Sequence, residues 1–190
     1  MKIVCISNTH NRHAELRLPP DDVPMPVTTR APHRHKIFIA GNHDFIFEKC
    51  CQEARAMVPA GVIYLEDEGV TLEGVRFWGS PVTPIFEDWA FMHGSATIGT
   101  YWDAIPEGTD VLIAHGPPYG VLDQVLPHGE QVRCPRLRHA LETRLHPKLH
   151  VFGHIHEGHG QVVEGSLTSV NASFLDHRYL PVNLPVTVTL

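Results

Sequence analysis

Histidines are the residues of this chain whose number and spacing indicate chemistry. The 190 residues include 15 histidines, against four cysteines and four methionines. Imidazole is the commonest protein ligand of transition metals, so a surplus of histidine directs attention to where the rings stand. Five of them follow short apolar runs directly: His10, His43, His115, His154 and His156. Two imidazoles spaced as in Gly153-His154-Ile155-His156 can point at two neighbouring ions, which predicts a metal site.

Short apolar runs that are rich in β-branched residues predict the strands that position these histidines. The runs are Lys2 to Ser7, Lys36 to Ala40, Val111 to Ala114 and His150 to Phe152. Residues just past the carboxyl ends of strands in a mostly parallel sheet converge on one crevice. Asn8 and Asn42 lie in the same loops and would add oxygen ligands. We therefore expect imidazoles from four distant segments to meet in that crevice.

The other ten histidines are interpreted as solvated or hydrogen-bonded side chains, since most histidines in proteins are structural. They are His13, His33, His35, His93, His128, His139, His146, His150, His159 and His177.

The remaining pattern predicts an α/β fold. Helices are expected from Phe45 to Val58 and from Pro135 to Leu145, and a tight hairpin around Gly74. The alternation of apolar and polar residues over 161–190 predicts antiparallel strands of a second sheet. Residues 18–33 contain five prolines and no usable period, which predicts an irregular linker within one domain covering 1–190.

Charge and composition exclude several classes of function. The formal net charge is -6 and the basic residues are scattered, which argues against a nucleic-acid surface. No apolar run reaches the roughly 20 residues of a membrane helix, and the N-terminus lacks the apolar core of a signal peptide. The cysteines show no metal-type spacing and no disulfide framework, so a cytoplasmic location is expected.

Ordered motifs resemble those of the calcineurin-like metallophosphoesterases. The blocks are Gly41-Asn42-His43-Asp44, His115-Gly116 and Gly153-His154-Ile155-His156, preceded by Ser7-Asn8-Thr9-His10 where the family has Asp-x-His. Five further stretches are similar to the branch of small metallophosphoesterase-domain-containing proteins, in the same order. They are Tyr64-Leu65-Glu66-Asp67, Trp78-Gly79-Ser80-Pro81, Asp88-Trp89-Ala90-Phe91, His115-Gly116-Pro117-Pro118 and Val170-Asn171-Ala172-Ser173.

The resemblance implies a two-sheet α/β sandwich flanked by helices, with two metals at the strand ends. Residues matching the ligands of the first metal are Asn8, His10 and His156, and those matching the second are Asn42, His115 and His154. His43 matches the residue that protonates the leaving group, and Asp44 matches its orienting carboxylate.

This sequence departs from the family pattern at two acidic positions. Asn8 stands where the family has an aspartate, and no Gly-Asp block precedes Gly41. The interval that should hold a strand, the bridging aspartate and a helix holds the Pro-rich linker, so one strand and one helix near the N-terminus are expected to be missing. Asp21 and Asp22 are the carboxylates of that interval, and recruiting either would need a rearranged loop.

The lost charge bears on which metals could bind. Two dications about 3.5–4 Å apart need anionic ligands, whereas all six matching donors are neutral. The family-like Mn, Fe or Zn pair is thereby disfavoured against a single Zn-type ion, which suits imidazole ligands.

Two functions follow from this sequence. The first is a metal-dependent phosphoesterase of reduced activity, acting on a small phosphate ester or cyclic nucleotide. The second is a non-catalytic relic of the family that binds a metal or a phosphate ligand. A third reading attributes the short interval to a defective gene model or splice form, with a chain that folds poorly because a strand has been removed from a sheet.

Overall fold

Strands and short helices alternate along the chain in the computed structural model, which describes residues 1–10, 33–125 and 133–190. The strands are β1 (Lys2–Cys5), β2 (Ile37–Phe38), β3 (Ile63–Tyr64), β4 (Glu68–Leu72), β5 (Val75–Ser80), β6 (Thr83–Pro84), β7 (Met92–His93), β8 (Val111–Ala114), β9 (Leu149–Phe152), β10 (Gly160–Glu164), β11 (Leu167–Asn171) and β12 (Val186–Thr189). The helices are α1 (Phe45–Lys49), α2 (Cys51–Met57), α3 (Ile98–Asp103) and α4 (Pro135–Ala140). The linker predicted at 18–33, apart from His33, lies outside the described residues, as do His13, Asp21, Asp22 and His128.

A mixed sheet forms the centre of the described residues, with the strand order β10-β11-β9-β8-β5-β4. The inner strands β11, β9, β8 and β5 run parallel, and the edge strands β10 and β4 are antiparallel to their neighbours. β8 is a continuous apolar run, and β9 is apolar apart from His150, because both faces of a central parallel strand are covered. Their carboxyl ends lie side by side, so the loops that start at His115 and Gly153 are neighbours.

Two of the four strands predicted to share one sheet lie elsewhere. Within the described residues, β1 pairs antiparallel with β12, and β2 pairs parallel with β3. The antiparallel strands predicted near the C-terminus exist, but β10 and β11 join the central sheet instead of a second one, because β11 pairs in parallel with β9. Only β12 of that region belongs to the separate ladder.

Apolar side chains cover both faces of the central sheet. On one face, β1 and β12 pack through Ile3, Val186 and Val188 against a cluster that includes Leu149 and Val151. On the other face, α3 and α4 pack in a second cluster that includes Leu112, Trp102 and Leu137. Burying each such side chain fully is worth about 1.5–3 kcal/mol, which makes these two contacts the main support of the sheet.

His150 alternates with the apolar residues of β9 and is fully buried. In the described part of the chain, neither of its ring nitrogens has a hydrogen-bond partner. Its ring packs on Phe152, with centroids 4.8 Å apart. The prediction of a solvated or hydrogen-bonded side chain is therefore wrong for His150.

The helices differ in detail from the predicted ones. The helix expected from Phe45 to Val58 breaks at Cys50, whose φ of -135° and ψ of 54° leave the helical region. The helix expected from Pro135 to Leu145 begins as α4 and continues as a π-helical turn over Leu141–Leu145. The hairpin around Gly74 is confirmed as β4–β5. None of the helices described here has the length and apolar character to cross a membrane.

A cavity of about 420 Å³ separates β1 from β2. Its walls are Met1 to Ile6 on one side and His33 to Ile37 on the other, and Phe77, Val111 and Val151 of the central sheet form its floor. The cavity therefore lies between the β1–β12 ladder and the β2–β3 ladder, over one face of the central sheet.

Candidate active site

Loops that follow β1, β2, β8 and β9 bring the predicted site residues together. The N–H of Gly153 donates to the carbonyl oxygen of His115 (3.0 Å), which holds the loops after β8 and β9 against each other. The N–H of Ser7 donates to Ala172 next to this edge (2.8 Å), so the residues after β1 reach the same place. The resulting site consists of two donor pairs and the His43 ring.

The first donor pair joins His10 and His156. Their Nε2 atoms lie 3.2 Å apart. The Nδ1 of His156 lies 2.9 Å from the carbonyl oxygen of Asp176, which can only accept, so Nδ1 carries the proton. In neutral His156 the lone pair is then on Nε2, facing His10. Asp176 thus fixes the tautomer that a metal ligand needs.

The second donor pair joins His115 and Asn42. The Nε2 of His115 lies 2.8 Å from the Oδ1 of buried Asn42. The His154 ring packs edge-on against His115, with centroids 4.9 Å apart. Gly41 makes room for this arrangement, because a Cβ there would lie 2.7 Å from the Cε1 of His115. His154 therefore adjoins the second pair and His156 belongs to the first, although they are two residues apart.

Asn8 contacts the backbone of the His154 loop. Its Oδ1 accepts the N–H of His154 (2.8 Å). A Cβ at Gly153 would overlap this Oδ1 and the Oγ of Ser7, so the loop passes Asn8 only because residue 153 is glycine. The Asn8 oxygen, which the resemblance made a metal ligand, is occupied in orienting His154.

His43 is exposed and lies at the end of the first pair. Its ring is 4.9 Å from that of His10 and 4.5 Å from that of Trp89. The Oδ2 of Asp44 accepts the N–H of Gly41 (2.7 Å) and closes the turn that carries His43. Among the described residues no hydrogen bond joins the Asp44 carboxylate to the His43 ring, so any orienting effect passes through the turn.

Four of the nine described non-glycine residues with positive φ lie at this site. The non-glycine residues Asn8, His10, His154 and Tyr179 have φ values of 52°, 39°, 68° and 60°. L-residues avoid this region at a cost of about 1–3 kcal/mol each, and such outliers cluster where function requires a particular geometry.

Burial lowers the pKa of three imidazoles of the site. It lowers the pKa of His10 and of His154 from 6.5 to about 4, and repulsion from His156 and His43 lowers both further in the same direction. The pKa of His115 is held well below 6.5, first by burial and then by the neighbouring imidazoles. Burial also raises the pKa of Asp44. At neutral pH the rings of His10, His115 and His154 are thus in the form that coordinates a metal.

The donor spacing fits a Zn-type ion in part. Tetrahedral Zn with bonds of about 2.0–2.1 Å holds its ligand atoms roughly 3.4 Å apart. The separation of 3.2 Å in the first pair is close to this distance, whereas the 2.8 Å in the second pair is shorter and is that of a hydrogen bond. In the described ranges, however, no three His, Cys, Asp or Glu side chains form a group that could hold a metal. The site therefore offers possible metal-binding atoms in pairs. The first pair has two imidazole nitrogens, and the second has an imidazole nitrogen and an amide oxygen.

The sequence prediction missed two site residues, Tyr179 and Asp176. The Tyr179 ring lies 5.0 Å from both His10 and His156, and Asp176 accepts from His156. Both stand in the irregular stretch between β11 and β12, where no periodicity or motif marks them. Trp89 belongs to one of the stretches similar to the family branch, which was a usable signal.

Comparisons with known proteins identify the family of this chain. A family model described as calcineurin-like phosphoesterase matches residues 9–158. The human metallophosphoesterase domain-containing protein 1 is 36% identical over 231 residues, covering 100% of this chain and 71% of the relative. The UPF0046 protein K07C11.7 of Caenorhabditis elegans is 32% identical, covering 91% of this chain and 69% of the relative.

The match with the human relative is longer than this chain. Its 231 residues exceed the 190 residues of the chain by 41, so part of the relative within the match has no counterpart here. A solved crystal structure has the same fold, with a TM-score of 0.55 at 18% identity over 71% of this chain and 56% of its own. Because the family model spans more than half of the chain and the human relative matches all of it, the chain belongs to the calcineurin-like phosphoesterase family.

Proposed function

We propose that this chain is a metal-dependent phosphoesterase of reduced activity that hydrolyses small phosphate esters or cyclic nucleotides. The observation that carries the proposal is the exposed His43 ring beside two pairs of neutral metal-type donors. A structural histidine cluster has no need of an accessible imidazole at its edge, whereas a general acid must reach substrate.

The ion we propose is a single Zn-type cation held by His115 and His154 with Asn42. Imidazole-rich sites favour Zn over Mn or Mg, which prefer carboxylates. Such an ion would polarise a phosphoryl oxygen and make water more acidic at neutral pH. The Nε2 lone pair of His156, which faces the His10 ring, would hold a second, weaker ion.

His43 is proposed as the general acid. In hydrolysis the water oxygen bonds to phosphorus and releases a proton to solvent, and the bond from phosphorus to the leaving oxygen breaks. The leaving oxygen takes a proton from His43, which regains one from solvent. The exposed position of His43 next to the His10 ring suits a group that meets the leaving oxygen at the rim of the phosphoryl site.

The reduced activity follows from the acidic residues that the sequence lacks. The 41 additional residues of the human match, and the cavity of about 420 Å³ between β1 and β2, support the proposal that one strand and one helix of the family sandwich are missing here. Without a bridging carboxylate, two close dications would repel each other unscreened. Losing one such stabilising interaction typically lowers the rate by about 10²–10³.

Hydrolysis of a chromogenic phosphate diester tests the assignment. We expect the native chain to turn over slowly with Zn²⁺, and His43→Ala to lower kcat by roughly 10²–10⁴. His93→Ala is the matched control, because His93 packs on Tyr101 away from the donor pairs. Equal rates in the native chain and His43→Ala would show that this site does not catalyse the reaction.

A non-catalytic, ligand-binding role is the alternative, and the contact of Asn8 with the His154 backbone favours it. A version with Asn8→Asp and the family's missing segment restored separates the two. If only the restored version hydrolyses the diester, the native chain is a non-catalytic relic of the family.

Metal analysis of protein purified without a His-tag adds a second criterion. One equivalent of Zn is expected, and two equivalents of Mn or Mg would contradict the single-ion proposal.

A further inference from the structure

Five rings form a continuous row through the site. Tyr179, His156 and His10 contact one another, with His10 and His156 5.1 Å apart, and the row continues from His10 to His43 and Trp89; we refer to these five rings as the ring row. Tyr179 lies 5.0 Å from His156 and from His10, His10 lies 4.9 Å from His43, and His43 lies 4.5 Å from Trp89. His10 and His43 lie between Tyr179 and Trp89, the two larger aromatic side chains.

The turn that carries Tyr179 is built to hold the ring in place. Tyr179 has a φ of 60°, and its side chain is about half exposed at 52%. The Asp176 carboxylate accepts the N–H groups of Arg178 and Leu180, both at 2.9 Å. The Asp176 backbone oxygen accepts from Tyr179 and from the His156 ring. A bulky residue held at positive φ beside a catalytic site is the kind of outlier that points to function.

Trp89 is held at the other end by different contacts. Its Nε1 donates to the Oε2 of Glu87 (3.1 Å), and its ring packs against Phe45 with centroids 6.2 Å apart. The side chain remains half-buried, so part of its surface borders the site next to His43.

We propose that the ring row binds phosphate diesters with two planar aromatic arms, one arm on Trp89 and the other on Tyr179. This inference rests on the proposed function, which puts the phosphoryl group at the imidazoles. The general acid His43 adjoins Trp89, so the leaving arm lies on Trp89 and the retained arm on Tyr179. Rings pair edge-on or offset at centroid distances of about 4.5–7 Å, the range already seen along the row. A monoester would reach only one end.

Binding of an unreactive pair of ligands tests the ring row without turnover. Diphenyl phosphate and dimethyl phosphate carry the same charge and differ only in their arms. Titrated by NMR into the full chain with Zn²⁺, diphenyl phosphate should bind the native chain more tightly. Tyr179→Leu and Trp89→Leu should each weaken it by roughly 2- to 10-fold and leave dimethyl phosphate unchanged.

Two further variants make the result specific. Tyr119→Leu removes an aromatic ring of similar exposure that packs on Arg133 outside the row, and it should change neither affinity. Tyr179→Phe keeps the ring and should keep the preference for diphenyl phosphate. Equal affinity of the native chain for both ligands, or equal weakening of both by the Leu variants, would overturn the proposal.

A kinetic comparison assigns the two arms. Bis(4-nitrophenyl) phosphate and methyl 4-nitrophenyl phosphate share the leaving group and differ in the retained arm. Tyr179→Leu should lower the kcat/KM ratio of the first to the second, whereas Trp89→Leu should lower both values and keep the ratio. The opposite pattern would refute the assignment of arms. Absence of hydrolysis with retained ligand preference would refute the proposed function and leave the binding surface established.

Discussion

At the scale of single residues, the backbone at Gly41 packs closely against the His115 ring. A methyl group at Gly41 would lie 2.7 Å from Cε1 and 2.9 Å from Nδ1 of that ring, closer than carbon atoms approach in proteins. The ring would have to move, and its hydrogen bond to Asn42 would lengthen.

We therefore expect Gly41→Ala to lower the free energy of unfolding by about 1–3 kcal/mol, as other overpacked sites do. Zn²⁺ affinity should fall in parallel. Gly99→Ala is the control, because it lies in α3 with no atom within 4 Å of the added methyl, where alanine favours a helix by up to about 1 kcal/mol. Urea unfolding and a Zn²⁺ titration of both variants measure the difference; similar effects would mean that the ring accommodates the methyl group.

The residue types of the site could be predicted from sequence, but several of their contacts could not. The order of motifs was enough to predict that His10 lies near His156 and that His115 lies near His154. Which atom faces which depends on loop backbones that meet only in the fold, as with Asn8, whose oxygen is used by a backbone N–H. Tyr179 is set by a turn without a sequence motif, so it could not be anticipated.

At the scale of elements, Asp110 joins three neighbouring strands at the end of the sheet opposite the site. Its carboxylate accepts the N–H of Arg76 at β5 (3.0 Å) and pairs with the Nζ of Lys148 (3.1 Å). Its carbonyl oxygen accepts the N–H groups of Lys148 and Leu149 at the start of β9. The Arg76 N–H is the main reason that the pKa of Asp110 lies below its ordinary value.

Replacing this carboxylate with a neutral amide should loosen the strand starts. Asp110→Asn keeps one oxygen acceptor but loses the charge, and we expect it to lower the free energy of unfolding by about 1 kcal/mol. Asp103→Asn, an exposed change at the end of α3, should stay within about 0.5 kcal/mol of the native chain. Urea midpoints at pH 7 test this; an equal midpoint for Asp110→Asn would show that its ion pairs contribute nothing.

The strands that are buried on both faces were the most predictable elements. Val111–Ala114 was predicted with its observed bounds, because a central parallel strand is a continuous apolar run. Assignment to sheets failed for β1, β2 and β11, since strand partners are chosen over long sequence separations that a local pattern does not contain. The break at Cys50 was missed because no glycine or proline marks it.

For the whole molecule, buried neutral histidines make stability depend on pH. The folded-state pKa values are about 4 for His10 and His154 and about 3 for His150, against 6.5 for an unperturbed ring. Between these values the unfolded chain binds more protons than the folded chain, so stability falls as the pH is lowered. Above pH 6.5 the contribution of these rings is complete and constant.

We expect the free energy of unfolding to fall steadily from pH 6.5 toward pH 4, with each fully buried ring contributing up to about 1.4 kcal/mol per pH unit. His150→Leu should reduce this slope and raise stability at acidic pH. His139→Leu, at an exposed histidine of α4, should leave the slope unchanged. Urea unfolding at several pH values supplies the measurement, and an unaltered slope in His150→Leu would contradict the prediction.

The ladder of β1 and β12 determines how the molecule responds to mechanical force. Lys2 lies opposite Thr189, and the Met1 ammonium group donates to Leu190 (2.9 Å), so both handles of a pulling experiment attach at the same end of an antiparallel pair. The hydrogen bonds between β1 and β12 then break one at a time in an unzipping geometry, instead of together in a shear geometry. Optical tweezers should record an early, low-force extension as β1 separates from β12. That step would draw His10 away from His156 while β8 and β9 stay paired, so stretching would take the site apart before the sheet unravels.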